Sequence, residues 1–280
     1  MTSVVTDSVG RLGRVVSDNI EGFGQFTRFC GRTLAWTLRG AGSWGRWSLL
    51  APQLFTIGTL SIPVVGIVGA FVGMVLGVEA FDQFAAIGQE TRLGGVINIS
   101  VVKQVGPVLA AVMIAGRVGG AVSAELGTMR VTEQIDALRV MGADPIGYLV
   151  VPRVIACLIM VPLLTVFSNL MGILGGYLVT VEGFGVNSHA YWEFSARFIG
   201  NWEIAVGLIK SVAFGLAIGL ISTYKGFHCE PGAAGVGKAA TNAFVVSFIA
   251  IIVSNLFLAK LLKDIYFLIF GYGGPSAFSG

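Results

Sequence analysis

Long apolar runs alternate with short polar segments along most of the chain. A run of about 20 apolar residues is long enough for an α-helix to cross roughly 30 Å of hydrocarbon. The pattern therefore predicts an all-α integral membrane protein with five transmembrane helices. The predicted spans cover about residues 54–78, 96–122, 148–181, 204–224 and 243–262.

The first 50 residues form a separate polar and amphipathic region. Residues 1–18 are polar and are predicted to be loosely ordered, whereas residues 23–50 repeat apolar and basic side chains at helical spacing. This pattern is typical of a helix in the membrane interface, although a soluble surface helix has it too. The basic face contains Arg28, Arg32, Arg39 and Arg46, and the apolar face contains Phe23, Phe26, Cys30, Leu34, Leu38, Ala41 and Trp44.

The polar segment between the second and third spans also has a helical pattern. Within residues 125–141, apolar side chains recur at helical spacing among acidic and basic ones. Gly142 and Pro145 then end the predicted helix. Such a helix is either a solvated connector or a docking element for a soluble partner.

Charged side chains occur inside several predicted spans. Lys103 follows the start of the second span, Arg117 lies near its end, and Lys210 lies within the fourth. Charge in the bilayer core is costly, so such residues face a cavity, a partner or the interface. Arg117 is predicted to extend to the interface. For Lys103 the sequence leaves two interpretations: the side chain extends to the interface, or it has a functional role.

Glycines recur at four-residue spacing in two spans. Gly69, Gly73 and Gly77 share one face of the first span, and Gly172 and Gly176 share one face of the third. Small residues at this spacing let two helix backbones approach closely. Both faces are therefore predicted to pack tightly against other helices.

The composition supports a membrane protein and excludes several other classes. Only 12% of the residues are charged, against roughly 25% in an ordinary soluble protein, and the mean hydropathy is +0.83. A formal charge of +3 on so apolar a chain does not indicate nucleic-acid binding. Three scattered cysteines and two histidines provide neither a disulfide framework nor a zinc site, so no metal and no cofactor are predicted.

A glycine-rich loop, predicted at 225–242, contains a near match to a phosphate-binding motif. In residues 232–239, Ala239 replaces the Ser or Thr that should follow the lysine, and a predicted span rather than a strand comes before. The sequence therefore predicts no nucleotide site. No cluster of ionisable residues at one depth indicates catalysis either, so the chain is predicted to be a non-catalytic transmembrane subunit.

The distribution of basic residues predicts the orientation in the membrane. The N-terminal segment contains six arginines, and the loops at 123–147 and 225–242 on the same side add Arg130, Arg139, Lys225 and Lys238. The loops on the opposite side contain only Arg92 and Arg197 and are mainly acidic, with Lys260 and Lys263 at the tail. The N-terminus is therefore predicted to be cytoplasmic. With five spans, the C-terminus is external and ends in a tail at 266–280.

Several motifs resemble the MlaE/YrbE permease family. They are GPVLAA at 106–111, AGRVG at 115–119, AELGTMRVTEQIDAL at 124–138, MGADP at 141–145 and VPR at 151–153. The likeness covers about residues 50–260, most of the chain. Members of this family are membrane subunits of ABC systems that move phospholipids or related lipids together with MCE-domain proteins.

The resemblance implies a permease domain at 51–265 that forms a homodimer in the cytoplasmic (inner) membrane. It also implies a lipid substrate, a periplasmic or external MCE-domain partner and a separate cytoplasmic ATPase that receives 125–141 as a coupling helix. The implied coupling residues are Glu125, Arg130, Glu133, Gln134, Asp136, Leu138 and Arg139. The lipid is implied to lie between the protomers, at Leu76, Gln83, Phe84, Ile87, Lys103 and Gln104.

One departure from the family is found at the implied lipid site. The family often has an Arg-Glu pair just before the Gly-Pro, whereas this chain has Lys103-Gln104. The cation is kept and the carboxylate is lost, so the headgroup preference is open.

Two other functions compete with the lipid permease. A secondary transporter that couples through Lys103, Arg117 or Lys210 ought to show internal repeats, and none is detected. A structural membrane anchor would not need a specific coupling helix.

Overall fold

The computed structural model describes residues 2–39 and 47–271, with side chains in 20–38 and 47–271. Within these ranges the regular secondary structure is helical and no β-strand occurs, which confirms the predicted all-α fold. Five helical segments are long and apolar enough to cross a membrane, as predicted. They are Trp47–Ala85, Glu90–Val131, Ile146–Gly183, Asn201–Phe227 and Ala233–Phe270.

Short irregular turns divide most of these segments into separate α-helices. The turns are 3-10 turns at Thr59–Ser61 and Glu90–Arg92 and wider π turns at Val101–Val105, Ala115–Gly119, Ile146–Val150 and Leu178–Gly183. The helices are α1 (Thr2–Arg39), α2 (Trp47–Ile57), α3 (Ile62–Ala85), α4 (Leu93–Ser100), α5 (Gly106–Ile114), α6 (Gly120–Val131), α7 (Gln134–Val140), α8 (Val151–Tyr177), α9 (Ser188–Phe198), α10 (Asn201–Phe227) and α11 (Ala233–Phe270).

α8 lies at the centre of the bundle. α3 and α10 pack along it, and α10 also packs on α6 and α11. Ile114, Phe214 and Ile218 are completely shielded from solvent in the resulting core. Many other Leu, Ile, Val and Phe side chains point outward, most of all on α11. Such a surface needs an apolar medium, which a bilayer provides.

The connecting segments lie at two opposite ends of the bundle. At one end, called the α1 end, α1 meets the segment after α7, and Trp36 Nε1 donates to Asp144 Oδ2 at 2.9 Å. At the other, called the α9 end, α9 packs on α4. There Trp202, near the start of α10, contacts Phe270 at the end of α11. Residues 29–36 of α1 and the end of α11 therefore lie at opposite ends of the bundle.

α1 packs only part of its apolar face on the bundle. Phe29 is 5% exposed and contacts the rings of Tyr224 and Phe227. Phe23 and Leu38, in contrast, remain 72% and 71% exposed. A helix with uncovered aromatic and aliphatic side chains is suited to the membrane interface.

The structure corrects the predicted limits of the N-terminal elements. α1 begins at Thr2, so the prediction of loose order at 1–18 is wrong from residue 2 onward. Apolar residues at 5, 9, 12 and 16 continue the helical period through that segment. The helix predicted at 23–50 is divided, because α1 ends at Arg39 and α2 already belongs to the first span. Ala41, Trp44 and Arg46 lie outside the described residues.

The first span is interrupted just before Pro63. Pro63 occupies the first turn of α3, where its missing N–H has no intrahelical partner to lose. Buried Ser61 accepts a 2.7 Å hydrogen bond from Nη1 of Arg117. Arg117, predicted to extend to the interface, therefore links the second span to this interruption.

α11 begins earlier than predicted. The loop predicted at 225–242 is reduced to residues 228–232, and the segment that resembles a phosphate-binding motif lies in the first turns of α11. Alanines in this segment favour a helix, and Gly232, with φ 86°, supplies the turn before it. Lys238 Nζ also pairs with Glu230 Oε1 at 2.6 Å.

α11 also ends later than predicted. It continues to Phe270, eight residues past the predicted end of the span at 262, because the apolar residues at 265–270 extend the same helix. The predicted tail at 266–280 is therefore helical at its start. Residues 272–280 lie outside the described residues.

The glycine stripe of the first span packs on the third span of the same chain. Gly69 faces the backbone of Ser168, and a Cβ at Gly73 would overlap the carbonyl oxygen of Gly172. Gly176 in turn lies against the carbonyl of Gly73. Both stripes are therefore used within one chain, where they bring α3 and α8 into backbone contact.

Replacing Gly73 with alanine is expected to destabilise the bundle. The new methyl group has no space against Gly172, so α3 must shift, at a cost of about 1–3 kcal/mol. Denaturant titration of the purified protein measures the loss. Gly237→Ala is the matched control, since no atom lies within 4 Å of the added Cβ, and alanine should leave stability equal or slightly higher there. Equal stability of the two variants would contradict the close packing.

Candidate functional site

Polar side chains meet inside the bundle where the second and fourth spans touch. Lys210 on α10 is 1% exposed, and its Nζ donates a short hydrogen bond to Oε1 of Gln104. The same Nζ lies 3.4 Å from the carbonyl oxygen of Lys103. A buried ammonium group in a membrane span needs acceptors of this kind. With Glu203, described below, these residues form what we call the polar cluster.

The backbone explains how these residues come together. Lys103 and Gln104 lie in the π turn Val101–Val105, a distortion that occurs often at functional sites. Gly207, one turn before Lys210, packs against Val102, where a Cβ would overlap the carbonyl oxygen. α10 can therefore approach the π turn closely enough for Lys210 to reach it.

Glu203 adds one carboxylate to the polar cluster. Its Oε1 lies 3.8 Å from Nζ of Lys103. Its Oε2 accepts a 3.1 Å hydrogen bond from the backbone N–H of Gly200 at the start of α10. Among the described residues, no carboxylate oxygen lies within 4 Å of Nζ of Lys210. With both lysines protonated, two ammonium groups face one carboxylate, and the polar cluster carries a net positive charge.

An apolar wall lies between α3 and α4. Leu76 and Phe84 on α3 pack against the buried side chains of Leu93, Ile97 and Val101. Val101, at the end of this wall, begins the π turn that contains Lys103. An open groove of about 410 Å³ continues from Leu76 along the outer face of α3. Its lining is entirely apolar and consists of Ile67, Val68, Phe71, Val72, Val75 and Leu76.

The structure brings together only part of the predicted lipid-binding set. Lys103 and Gln104 meet at Lys210, and Leu76 and Phe84 meet at α4. Gln83 instead donates to the carbonyl of Glu79 at 3.3 Å on the exposed side of α3. Ile87 is 66% exposed in the turn after α3. Neither residue contacts a lysine of the polar cluster within the described chain.

Sequence reasoning did not place Lys210 and Glu203 in the candidate site. Lys210 was visible as a charge within the fourth span, a position that is rare unless the charge has a partner or a function. Its contact with Gln104 joins residues 106 positions apart. Glu203 looked like one of several acidic residues at a loop boundary, so nothing in the pattern indicated its pairing with Lys103.

A second candidate site lies at the α1 end, between α6 and α7. The sequence predicted one helix at 125–141, but α6 ends at Val131 and Glu133 adopts a left-handed conformation with φ 60°. α7 then folds back because Ile135, which is 0% exposed, packs into the core. We call residues 125–141 the α6–α7 corner.

Asp136 holds the α6–α7 corner together. Its carboxylate accepts from Arg130 Nη1 at 3.0 Å and from Arg139 Nη1 at 2.6 Å. All three side chains are predicted to contact another subunit, and within this chain Asp136 joins the two arginines. Leu138 is partly buried against the core.

The tip of the corner leaves other side chains uncovered. Glu133 and Gln134 are exposed in the turn that starts α7. Val140 and Met141 follow at its end and are 89% and 72% exposed. A patch with charged and apolar side chains side by side is suited to contact with a protein partner.

Glu125 is paired with a residue that the sequence analysis did not assign to the site. Nη2 of Arg153 donates to Oε1 of Glu125 at 2.7 Å, and Nη1 donates to the carbonyl oxygen of Leu149 at 2.7 Å. Arg153 is 4% exposed, and its Nε has no hydrogen-bond partner among the described residues. The pair joins α6 to α8 and anchors the α6–α7 corner on the central helix.

Removing the two partners of this pair is expected to have unequal effects. Glu125→Ala leaves the buried Arg153 without its counter-charge, at a cost of about 3 kcal/mol. Arg153→Met should cost less, because the side chain of Glu125 is 47% exposed and water can solvate it. The double variant should regain part of the loss of Glu125→Ala. Denaturant titration of the purified chain measures all three.

The matched control for this pair is Glu230→Ala. This substitution breaks the ion pair with Lys238. Because the side chains of Glu230 and Lys238 are 63% and 59% exposed, its loss should change stability by no more than about 1 kcal/mol. If Glu125→Ala changes stability no more than this control does, Arg153 does not depend on Glu125.

Comparison with known proteins finds similarity over the region that contains both candidate sites. The family model described as "Permease MlaE" matches residues 50–261. A probable ABC transporter permease protein of Rickettsia felis is 42% identical over 214 residues, which are 76% of this chain and 83% of the relative. A probable ABC transporter permease protein of Synechocystis is 42% identical over 210 residues, 75% of this chain and 80% of the relative.

A further relative has a more specific name. The intermembrane phospholipid transport system permease protein MlaE of Haemophilus influenzae is 33% identical over 215 residues. These residues are 76% of this chain and 82% of the relative.

Proposed function

This chain belongs to the MlaE permease family, and on that premise we propose that it is the transmembrane subunit of an ABC transporter that moves phospholipid or a related lipid. The lipid passes between the inner membrane and an MCE-domain partner. The polar cluster and the wall at Leu76 and Phe84 receive the lipid, and Lys103 binds the phosphate of its headgroup.

The observation that carries this proposal is the continuity of the second span. One helical segment, Glu90–Val131, contains Lys103 and Gln104 and leads directly into the α6–α7 corner. A force applied to the corner is therefore applied to the segment that forms the polar cluster. Such a continuous helical connection suits a permease that is driven from the membrane surface.

A separate ATPase subunit supplies the energy. The described chain offers an exposed corner but no phosphate-binding loop, since the segment that resembles one forms the start of α11. We propose that the ATPase receives the corner through Glu133, Gln134, Val140 and Met141, while Arg130, Asp136 and Arg139 keep the corner folded. Glu125 and Leu138 stabilise the corner: Glu125 fixes it to α8 through Arg153, and Leu138 packs on the core.

The active unit is a homodimer with the lipid between its protomers. The groove along the outer face of α3 is apolar and uncovered in one chain. A second copy facing this groove would enclose acyl chains between two apolar walls. Gln83 and Ile87, exposed beside the groove, are then positioned to contact lipid or the partner protomer.

The α1 end faces the cytoplasm in this proposal. Basic residues are concentrated at that end, as the positive-inside rule requires. The α9 end then faces the periplasm or exterior, where an MCE-domain protein can receive the lipid. α1 lies along the cytoplasmic interface with Phe23 and Leu38 toward the bilayer.

Affinity purification from native membranes tests this assembly. The tagged chain is expected to recover an untagged second copy, an ATPase subunit and an MCE-domain protein, which mass spectrometry identifies together with bound phospholipid. Recovery of a monomer without any ATPase would contradict the proposal. ATP-independent lipid movement by that monomer would support a secondary transporter instead.

A further inference from the structure

Lys210 determines how the amide of Gln104 is oriented. A lysine ammonium can only donate hydrogen bonds, so the atom of Gln104 that faces it must be the carbonyl oxygen Oε1. The amide nitrogen Nε2 is then directed away from Lys210. It has no hydrogen-bond partner among the described residues, and Gln104 is exposed. Two N–H donors of Gln104 are therefore available to a ligand.

The neighbouring cation offers donors as well. The side chain of Lys103 is 44% exposed, and its ammonium group carries three N–H donors. Gln104 and Lys103 are adjacent in the π turn, and both reach side chains of α10, Gln104 that of Lys210 and Lys103 that of Glu203. We call the Nζ of Lys103 and the Nε2 of Gln104 the donor surface. It matches a group that only accepts hydrogen bonds, such as the oxygens of a phosphodiester.

The one carboxylate of the polar cluster is not free to bind a positively charged headgroup. Glu203 is 19% exposed, pairs with Lys103 and accepts from the N–H of Gly200. A glutamate at position 104 would change this balance, because it would neutralise Lys210 and offer acceptor oxygens. With glutamine there, the charge of Lys210 is not compensated by any carboxylate within 4 Å among the described residues.

We propose that Gln104, held in place by Lys210, makes the site select lipids whose headgroups carry a net negative charge over zwitterionic lipids. This inference rests on the proposed function and adds a substrate class to it. An anionic headgroup such as phosphatidylglycerol gives the donor surface phosphate oxygens and compensates the net positive charge. A zwitterionic headgroup brings a cation that the same surface repels. Lys210 is a positioning residue, since it acts through the amide of Gln104.

A lipid competition measures this selectivity. The full-length protein, purified with the partners it retains, is equilibrated with equimolar phosphatidylglycerol and phosphatidylcholine that have the same acyl chains. Mass spectrometry then gives the ratio of the two lipids bound. The wild-type ratio should favour phosphatidylglycerol by about tenfold, the effect of one charge-assisted contact. Gln104→Glu should bring the ratio close to one.

Two further variants keep the result interpretable. Gln104→Leu removes the donors without adding charge and should lower the ratio by about threefold. Gln89→Glu, the control, makes the same change in the turn after α3, where Gln89 makes no hydrogen bond to Lys103 or Lys210, and should leave the ratio unchanged. If Gln104→Glu fails to fold, the lipid ratios of the wild type and of Gln104→Leu test the proposal.

The outcomes separate this inference from the proposed function. A wild-type ratio near one, or a ratio that Gln104→Glu leaves unchanged, would overturn the selectivity while lipid binding itself stands. If the wild-type protein binds neither lipid, the proposed function fails first. A preference for phosphatidylcholine would contradict the donor surface directly.

Discussion

Asp136→Lys is expected to abolish the association of this chain with its ATPase subunit. Asp136 pairs with both Arg130 and Arg139, so a lysine there brings three cations together and opens the α6–α7 corner. We expect the amount of co-purified ATPase to fall by more than tenfold and ATP-dependent lipid transfer to be lost. Quantitative co-purification and a transfer assay measure the two effects.

Asp264→Lys is the matched control for this substitution. It makes the same charge change near the end of α11, where Asp264 is exposed and far along the chain from the corner. That variant should keep its ATPase. If Asp136→Lys also retains ATPase binding and lipid transfer, the docking role of the corner is wrong.

A second variant distinguishes docking from folding of the corner. Val140 is 89% exposed, so Val140→Asp should leave the corner folded. A charge at a buried interface is costly, and this variant should still lose most of its bound ATPase. Retention of the ATPase by Val140→Asp would place the contact elsewhere on the α1 end.

Lys103→Glu is expected to reduce bound phospholipid by about tenfold or more. The substitution removes the exposed cation and places a second carboxylate beside Glu203, so the phosphate loses a charge-assisted contact and meets repulsion. Mass spectrometry of the purified protein gives the lipid bound per chain.

Lys260→Glu provides the comparison for Lys103→Glu. Lys260 is an exposed lysine on α11, outside the polar cluster, and its reversal should leave the lipid content unchanged. Equal lipid content in wild type and Lys103→Glu would remove Lys103 from the site.

The sequence predicted the spans because burial in a bilayer requires long apolar runs, and such runs are visible without a structure. The limits of α11 were harder to predict. Glycines between 232 and 237 favoured a loop, but Ala233, Ala234 and the ion pair of Lys238 favour the helix that forms.

The contacts of the candidate sites depended on distant parts of the chain. The charge of Lys210 could be read from the sequence, but its bond to Gln104 requires α10 to approach the π turn at Gly207. The division of 125–141 could not be read from its periodicity, because the apolar spacing continues through the turn at Glu133. Packing of Ile135 into the core decides where that helix bends.

Lipid transfer in reconstituted vesicles tests the central claim most directly. The purified chain is placed in vesicles with or without its ATPase subunit, and transfer of labelled phospholipid to the MCE-domain protein is followed with and without ATP. Our account predicts transfer only when both the ATPase and ATP are present. Transfer at the full rate in vesicles that contain this chain alone would contradict it.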